Sequence, residues 1–120
     1  MADMKTHTGG CHCGAVRFEV DTAIEGAISC NCSICMKRGL VLAFAGAESF
    51  RLLKGEDALA DYRFNTHKIN HVFCKTCGVE SFARGVNPKT GADVIALNLR
   101  CFDDIDLDAI PTRKFDGASL

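Results

Sequence analysis

The sequence predicts a mostly β fold, and three observations carry that reading. No stretch sustains a helical apolar period for three turns, several short runs alternate apolar with polar residues, and Gly, Asn, Asp and Pro punctuate the chain at close intervals. A chain of 120 residues buries roughly two-thirds of its unfolded surface by size scaling. Neither a low-complexity segment nor a long linker interrupts it, so residues 1–120 are expected to form a single domain.

The elements follow in order. Ala15 to Val20 places Val16, Phe18 and Val20 on one face, as a half-buried strand does. Ala27 to Cys30 reads as a short strand entering a group of cysteines, and one helical turn is expected after Cys35. Leu40 to Phe44 is continuously apolar between Gly39 and Gly46, which predicts a strand buried on both faces. Phe50 to Leu53, Leu59 to Phe64 and Ile69 to Phe73 read as strands separated by Lys-Gly-Glu-Asp and Asn-Thr-His turns. Val79 to Ala83 and Asp93 to Phe102 flank Gly85 to Gly91, whose Pro and two Gly predict a hairpin loop. From Asp103 the chain turns acidic and then polar, and is expected to wrap the surface or fray. Phe18, Phe44, Phe73 and Phe82 fall within strands and are core candidates.

Charge and hydropathy exclude several functions. Fourteen basic residues against 15 acidic ones give a net charge of −1, too little field to attract nucleic acid or anionic lipid, so neither is expected as a partner. The longest apolar run, Leu40 to Ala45, is far below the roughly 20 residues of a membrane-spanning helix. The first ten residues carry no apolar signal core, and a cytoplasmic location is expected. Thiols are kept reduced there, so the eight cysteines point to metal or catalysis rather than to disulfides.

Seven of those cysteines fall into three groups: Cys11-x-Cys13, Cys30-x-Cys32-x-x-Cys35 and Cys74-x-x-Cys77. Zinc favours such spacing, because sulfurs must converge to about 2.3 Å from the ion and a sharp turn delivers two at once. Gly14 and Gly78 directly follow a cysteine pair, where a residue of positive φ lets backbone N–H groups face thiolates. Two pairs supply the four ligands of a closed structural site; a triplet supplies three and leaves a position open for chemistry. That count places Cys11, Cys13, Cys74 and Cys77 on one ion and Cys30, Cys32 and Cys35 on a second. A single four-cysteine site drawn from other pairs, with the triplet vacant, also satisfies the spacing.

The motifs Thr8-Gly-Gly-Cys-His-Cys-Gly-Ala-Val-Arg-Phe18, Cys30-Asn-Cys-Ser-Ile-Cys35 followed by Lys37-Arg38-Gly39, Phe73-Cys-Lys-Thr-Cys-Gly78 and Leu97-Asn-Leu-Arg-Cys-Phe-Asp103 resemble the family of glutathione-dependent formaldehyde-activating enzymes, whose domain also occurs in centromere protein V. The resemblance spans nearly the whole chain in the same order. It implies a single domain of stacked antiparallel sheets with two zinc ions, and a carbon–sulfur lyase activity joining glutathione to formaldehyde as S-hydroxymethylglutathione. By that pattern Cys11, Cys13, Cys74 and Cys77 match structural zinc ligands, while Cys30, Cys32 and Cys35 match catalytic ones.

Three thiolates around a divalent cation weaken it as a Lewis acid relative to three neutral histidines, so a thiol suits the open position better than a water. Glutathione or another small thiol, with formaldehyde or a related aldehyde, are the partners this reading implies, and the triplet's zinc is expected to be the more labile. Lys37 and Arg38 follow the triplet, as partners for glutathione carboxylates or as a solvated pair on a turn. Asn31 and Ser33 lie inside the ligand turn, where such side chains usually bond local backbone. His12 reads as an exposed turn residue, and neither His67 nor His71 is nominated as a general base. Cys101 is expected as a small buried hydrophobe on the strand ending at Phe102, and Arg84 and Arg100 either line the same pocket or form structural ion pairs. The alternative function is a non-catalytic, zinc-stabilised module that binds a thiol or a protein. The nucleic-acid association of the centromere branch lacks a basic run to support it.

Overall fold

The structure, a computed structural model, describes residues 4–63, 69–87 and 89–116. In chain order the described strands are β1 (Lys5–Gly10), β2 (Arg17–Thr22), β3 (Ala27–Cys30), β4 (Leu42–Gly46), β5 (Phe50–Lys54), β6 (Leu59–Tyr62), β7 (Asn70–Cys74), β8 (Phe82–Val86), β9 (Asp93–Asn98) and β10 (Thr112–Phe115), with one helix, α1 (Ser33–Arg38), between β3 and β4. They form a three-stranded sheet in the order β1-β2-β5 and a seven-stranded sheet in the order β10-β3-β4-β9-β8-β7-β6. Neighbouring strands are antiparallel except β10, which runs parallel to β3. The mainly β fold of two stacked sheets is the one expected.

Alternation in β2 explains how the sheets meet. Phe18 and Val20 are wholly buried, while Glu19 faces outward and takes the guanidinium of Arg51, which sits opposite it on β5. Phe18 reaches across the gap: its ring lies 5.4 Å from Phe50 of its own sheet, 6.4 Å from Phe82 of β8 and 5.6 Å from Phe102 beyond β9. Val72, Phe82, Ile95 and Leu97 supply the inner face of the larger sheet to the same core.

Several boundaries differ from the sequence reading. Phe44 is 53% exposed: β4 presents it to the outside while Ala43 and Ala45 pack inward, so that apolar run does not mark two buried faces. The strand expected to reach Phe102 stops at Asn98, whose side chain accepts from Arg100 N–H at 3.1 Å and turns Leu99–Cys101 into a 3-10 turn. β8 begins at Phe82 rather than Val79, because Val79 is still part of the turn after Cys77. Phe64, His67 and Pro88 lie outside the described residues. Two strands are additional. β1 has a polar sequence and exists through its six-pair register with β2. β10 is exposed throughout and adds to the edge of β3.

The segment after β9 is strapped down by charge. Asp103 accepts from the Arg17 guanidinium and from the Thr8 hydroxyl at 2.8 Å, its own N–H donates to Thr8 C=O at 2.9 Å, and Asp104 holds Lys5 at 3.1 Å and His7 at 3.0 Å. The contact with Arg17 first, then Thr8, lowers the Asp103 pKa below its ordinary value of 3.8. A carboxylate depressed in this way stabilises the fold above that ordinary value and loses the contribution as the pH falls through the depressed one. Asp103→Asn should therefore lower the urea midpoint at neutral pH, and its difference from the wild type should close as the pH drops below about 4. Phe18→Ala, removing the ring that joins both sheets, should cost about 3–5 kcal/mol in equilibrium unfolding.

Candidate metal centre and active site

Two hairpin turns, one from each sheet, carry the first group of thiols. Between β1 and β2, Cys11 N–H donates to Val16 C=O at 3.1 Å, Gly14 N–H to Cys11 C=O at 3.3 Å, and Val16 N–H to Cys11 Sγ at 3.3 Å. Between β7 and β8, Cys74 N–H donates to Val79 C=O at 3.0 Å, Gly78 N–H to Cys74 C=O at 2.8 Å, and Thr76 N–H to Cys74 Sγ at 3.4 Å. Gly14 at φ 82° and Gly78 at φ 81° occupy the left-handed conformation expected from their positions. A Cβ at either would meet nothing within 4 Å, so glycine is selected there by backbone conformation and not by space.

These turns bring Cys11, Cys13, Cys74 and Cys77 together, with all four sulfurs within 4.8 Å of one another. Cys13 Sγ lies 3.7 Å from both Cys11 Sγ and Cys74 Sγ. A tetrahedron of thiolates at zinc–sulfur distances of about 2.3 Å has edges of about 3.8 Å, so the donor set fits such an ion. The electrostatics agree. The N–H groups of Cys13 and Val79 pull the Cys77 pKa down to about 6, and those of Cys77 and Thr76 lower Cys74. At Cys13 the Ala15 N–H favours the thiolate, yet desolvation and the neighbouring thiols push the pKa to about 11. Gathering four thiolates at neutral pH thus calls for a cation among them.

Cys30, Cys32 and Cys35 form a second group whose sulfurs also lie within 4.8 Å. Cys30 ends β3, Cys32 precedes the helix at its N-cap, and Cys35 is buried inside α1. Met36 N–H donates to Cys32 C=O at 3.0 Å, and Gly39, at φ 67°, closes the helix onto Cys35 C=O. Ile34 and Leu40 bury Cys35 in a small cluster separate from the main core. Burial opposes ionisation of Cys32, but the Cys35 N–H and the adjoining thiols outweigh it and lower its pKa. Burial and the same thiols raise Cys35. Among the described residues no fourth Cys, His, Asp or Glu joins this group.

The remaining residues separate clearly. Lys37 is exposed beside the triplet. Arg38 is committed to Glu80, and its guanidinium lies over Phe73 at 5.2 Å and Tyr62 at 5.9 Å. Asn31 donates to Asp116 at 2.8 Å and takes Phe115 C=O on its N–H at 3.0 Å, which makes it a tie to β10. Ser33 and His12 are exposed, and His67 lies outside the described residues. Cys101 is partly buried, 3.9 Å from Glu80 C=O and outside both groups; burial raises its thiol pKa. Arg100 reaches the end of α1, its Nε donating to Gly39 C=O at 3.0 Å. Arg84 lies over Phe82 and Phe50, and lines a surface pocket of about 630 Å³ formed by residues 52–57. That pocket and another of about 480 Å³, lined by Ile24, Ile28 and Phe44 among others, contain no cysteine.

Sequence reasoning passed over Glu80. It is 4% exposed, accepts from Arg38, and lies 2.9 Å from His71 Nδ1, itself 5% exposed. Its signal in the sequence is a lone acid between Val79 and Ser81-Phe82, three positions past Cys77.

Metal analysis after zinc loading should find close to two ions per chain. Cys35→Ser should remove one while the fold, followed by circular dichroism, persists. Cys74→Ser should remove the other and lower the unfolding midpoint strongly, since it cuts a link between the sheets.

Comparison with known proteins agrees with this geometry. Among solved structures, the crystal structure of a Rhodobacter sphaeroides protein superposes with a TM-score of 0.75 at 30% identity, over 88% of this chain and 99% of that one. Residues 6–115 match the family described as glutathione-dependent formaldehyde-activating enzyme. With its cysteine turns inside the matched span, the chain belongs to that family.

Proposed function

We propose that the chain is a zinc-dependent carbon–sulfur lyase of the S-hydroxymethylglutathione synthase type. The observation that carries the reading is the triplet Cys30, Cys32 and Cys35, whose sulfurs converge without a fourth ligand from the described residues. Zinc bound there supplies a soft Lewis acid that favours the thiolate form of an incoming thiol. The overall step adds sulfur to the carbonyl carbon of formaldehyde; the thiol proton ends on the carbonyl oxygen, and the reverse step returns both reactants.

The chain's own residues have the remaining tasks. Cys30, Cys32 and Cys35 hold and orient the reacting centre through the rigid turn and the first residues of α1. Lys37, exposed two residues after Cys35, is the cation we assign to a glutathione carboxylate. Arg38, three residues after Cys35, is engaged by Glu80 and so is held in place by that carboxylate. Cys11, Cys13, Cys74 and Cys77 hold the structural ion. Among the described residues no helix is long and apolar enough to cross a membrane. Work on glutathione in a reducing cytoplasm is consistent with eight cysteines that form no disulfide with one another.

The test must exceed the spontaneous reaction, because formaldehyde adds to glutathione unaided. Exchange between free and adduct formaldehyde, followed by NMR, should accelerate with zinc-loaded protein and return to background in Cys35→Ser. Glutathione binding to a two-zinc protein without any acceleration would instead make the chain a non-catalytic thiol-binding module. Lys37→Ala should raise the KM for glutathione several-fold with little change in kcat, as removal of one screened ion pair does.

A further inference from the structure

Glu80 is the one buried carboxylate among the described residues. Its side chain is 2% exposed, and both oxygens are engaged: Oε1 by Arg38 Nη1, from the end of α1, and Oε2 at 2.9 Å from His71 Nδ1, from β7. Its backbone C=O accepts from Asn98 Nδ2 at 2.9 Å, so the residue is also fixed to β9. The three charged or titratable partners share a spacing. Arg38 comes three residues after Cys35, His71 three before Cys74 and Glu80 three after Cys77. The group is therefore tied along the chain to both thiol clusters.

Glu80 is buried while Arg38 is partly open to solvent, and a buried carboxylate left without its cation is costly, so Glu80 constrains where Arg38 can sit. That constraint matters here because α1 has only six residues, far fewer than a helix needs to persist alone. Its carboxyl end is held by the closure at Gly39, by Arg100 on Gly39 C=O, and by Arg38 on Glu80.

We infer that Glu80 is a positioning residue: from the turn ordered by Cys74 and Cys77 it fixes Arg38, and through Arg38 it fixes the helix that carries Cys35 into the three-cysteine site. Order in the four-cysteine turn is in this way transmitted to the triplet. The inference rests on the triplet being the reactive centre, but the position of α1 can be followed without reference to turnover.

The experiment combines amide hydrogen exchange with zinc release to a chromogenic chelator, on the zinc-loaded full chain. Glu80→Leu, which keeps bulk but makes neither contact, should speed exchange at Met36 and Leu40 about tenfold. It should release one of the two zinc ions about tenfold faster, the lower end of the effect expected for groups supporting a metal's ligands. Exchange in β9 and retention of the other ion should stay near wild type. Glu80→Gln, keeping shape and hydrogen-bonding groups, should restore part of the loss. Arg38→Leu should reproduce it, and adding Glu80→Leu to Arg38→Leu should make it no worse. If Glu80→Leu loosens β9 as much as α1, or Arg38→Leu leaves α1 unchanged, the inference is overturned. Should Glu80→Leu fail to fold, Glu80→Gln decides: exchange at Met36 and Leu40 faster than wild type with β9 unchanged supports the inference, and exchange at wild-type rate overturns it. A wild-type triplet that retains no zinc would sink the proposed function, while exchange at α1 would still decide the role of Glu80.

Discussion

The convergence of four thiols from two hairpin turns is the constraint on which the rest of the molecule depends. Cys11 and Cys13 belong to the turn of the three-stranded sheet, and Cys74 and Cys77 to a turn of the seven-stranded one. A cation shared by these sulfurs would cross-link layers that are distant in sequence, and would close a long loop of the chain. The aromatic packing around Phe18 and the straps at Asp103 and Asp104 hold the same two layers as well. Thiol geometry and apolar burial therefore enforce one sheet alignment by separate means.

The two thiol groups differ in what supports them. The first is embedded against the main core, with Cys11 and Cys74 among its buried members. The second rests on one helical turn, a small satellite cluster and a few polar contacts. Local opening is easiest where few apolar contacts must break, so the surroundings of the triplet are the easier of the two to open.

Much of this was legible in the sequence, because cysteine spacing and strand alternation are local signals. The turn glycines, the burial of Phe18 and Phe82, and the membership of each cysteine pair and of the triplet follow from residues only a few positions apart, whereas the union of Cys13 with Cys74 spans 61 positions and rests on a count of ligands. What escaped depends on partners far along the chain. β1 and β10 have polar sequences and become strands only by pairing with β2 and β3. Phe44 lies in an apolar run whose outer face no other element covers. Glu80 looks like a surface acid until Arg38 and His71 are seen to enclose it.

The parallel pairing of β10 with β3 bears on how the protein is made. Cys30, at the end of β3, lies opposite Phe115, and Asn31 is tied to Phe115 and Asp116. β4, the other neighbour of β3, takes its own partner from residues 93–98. During translation the triplet and β4 emerge early, yet β10 and β9, the outer partners of β3 and β4, are made much later. For most of synthesis these thiols sit on an unfinished sheet edge, and non-local pairing of this kind is slow to form. Completion of the sheet around Cys30 thus depends on residues 93–98 and 112–115, which are made long after it.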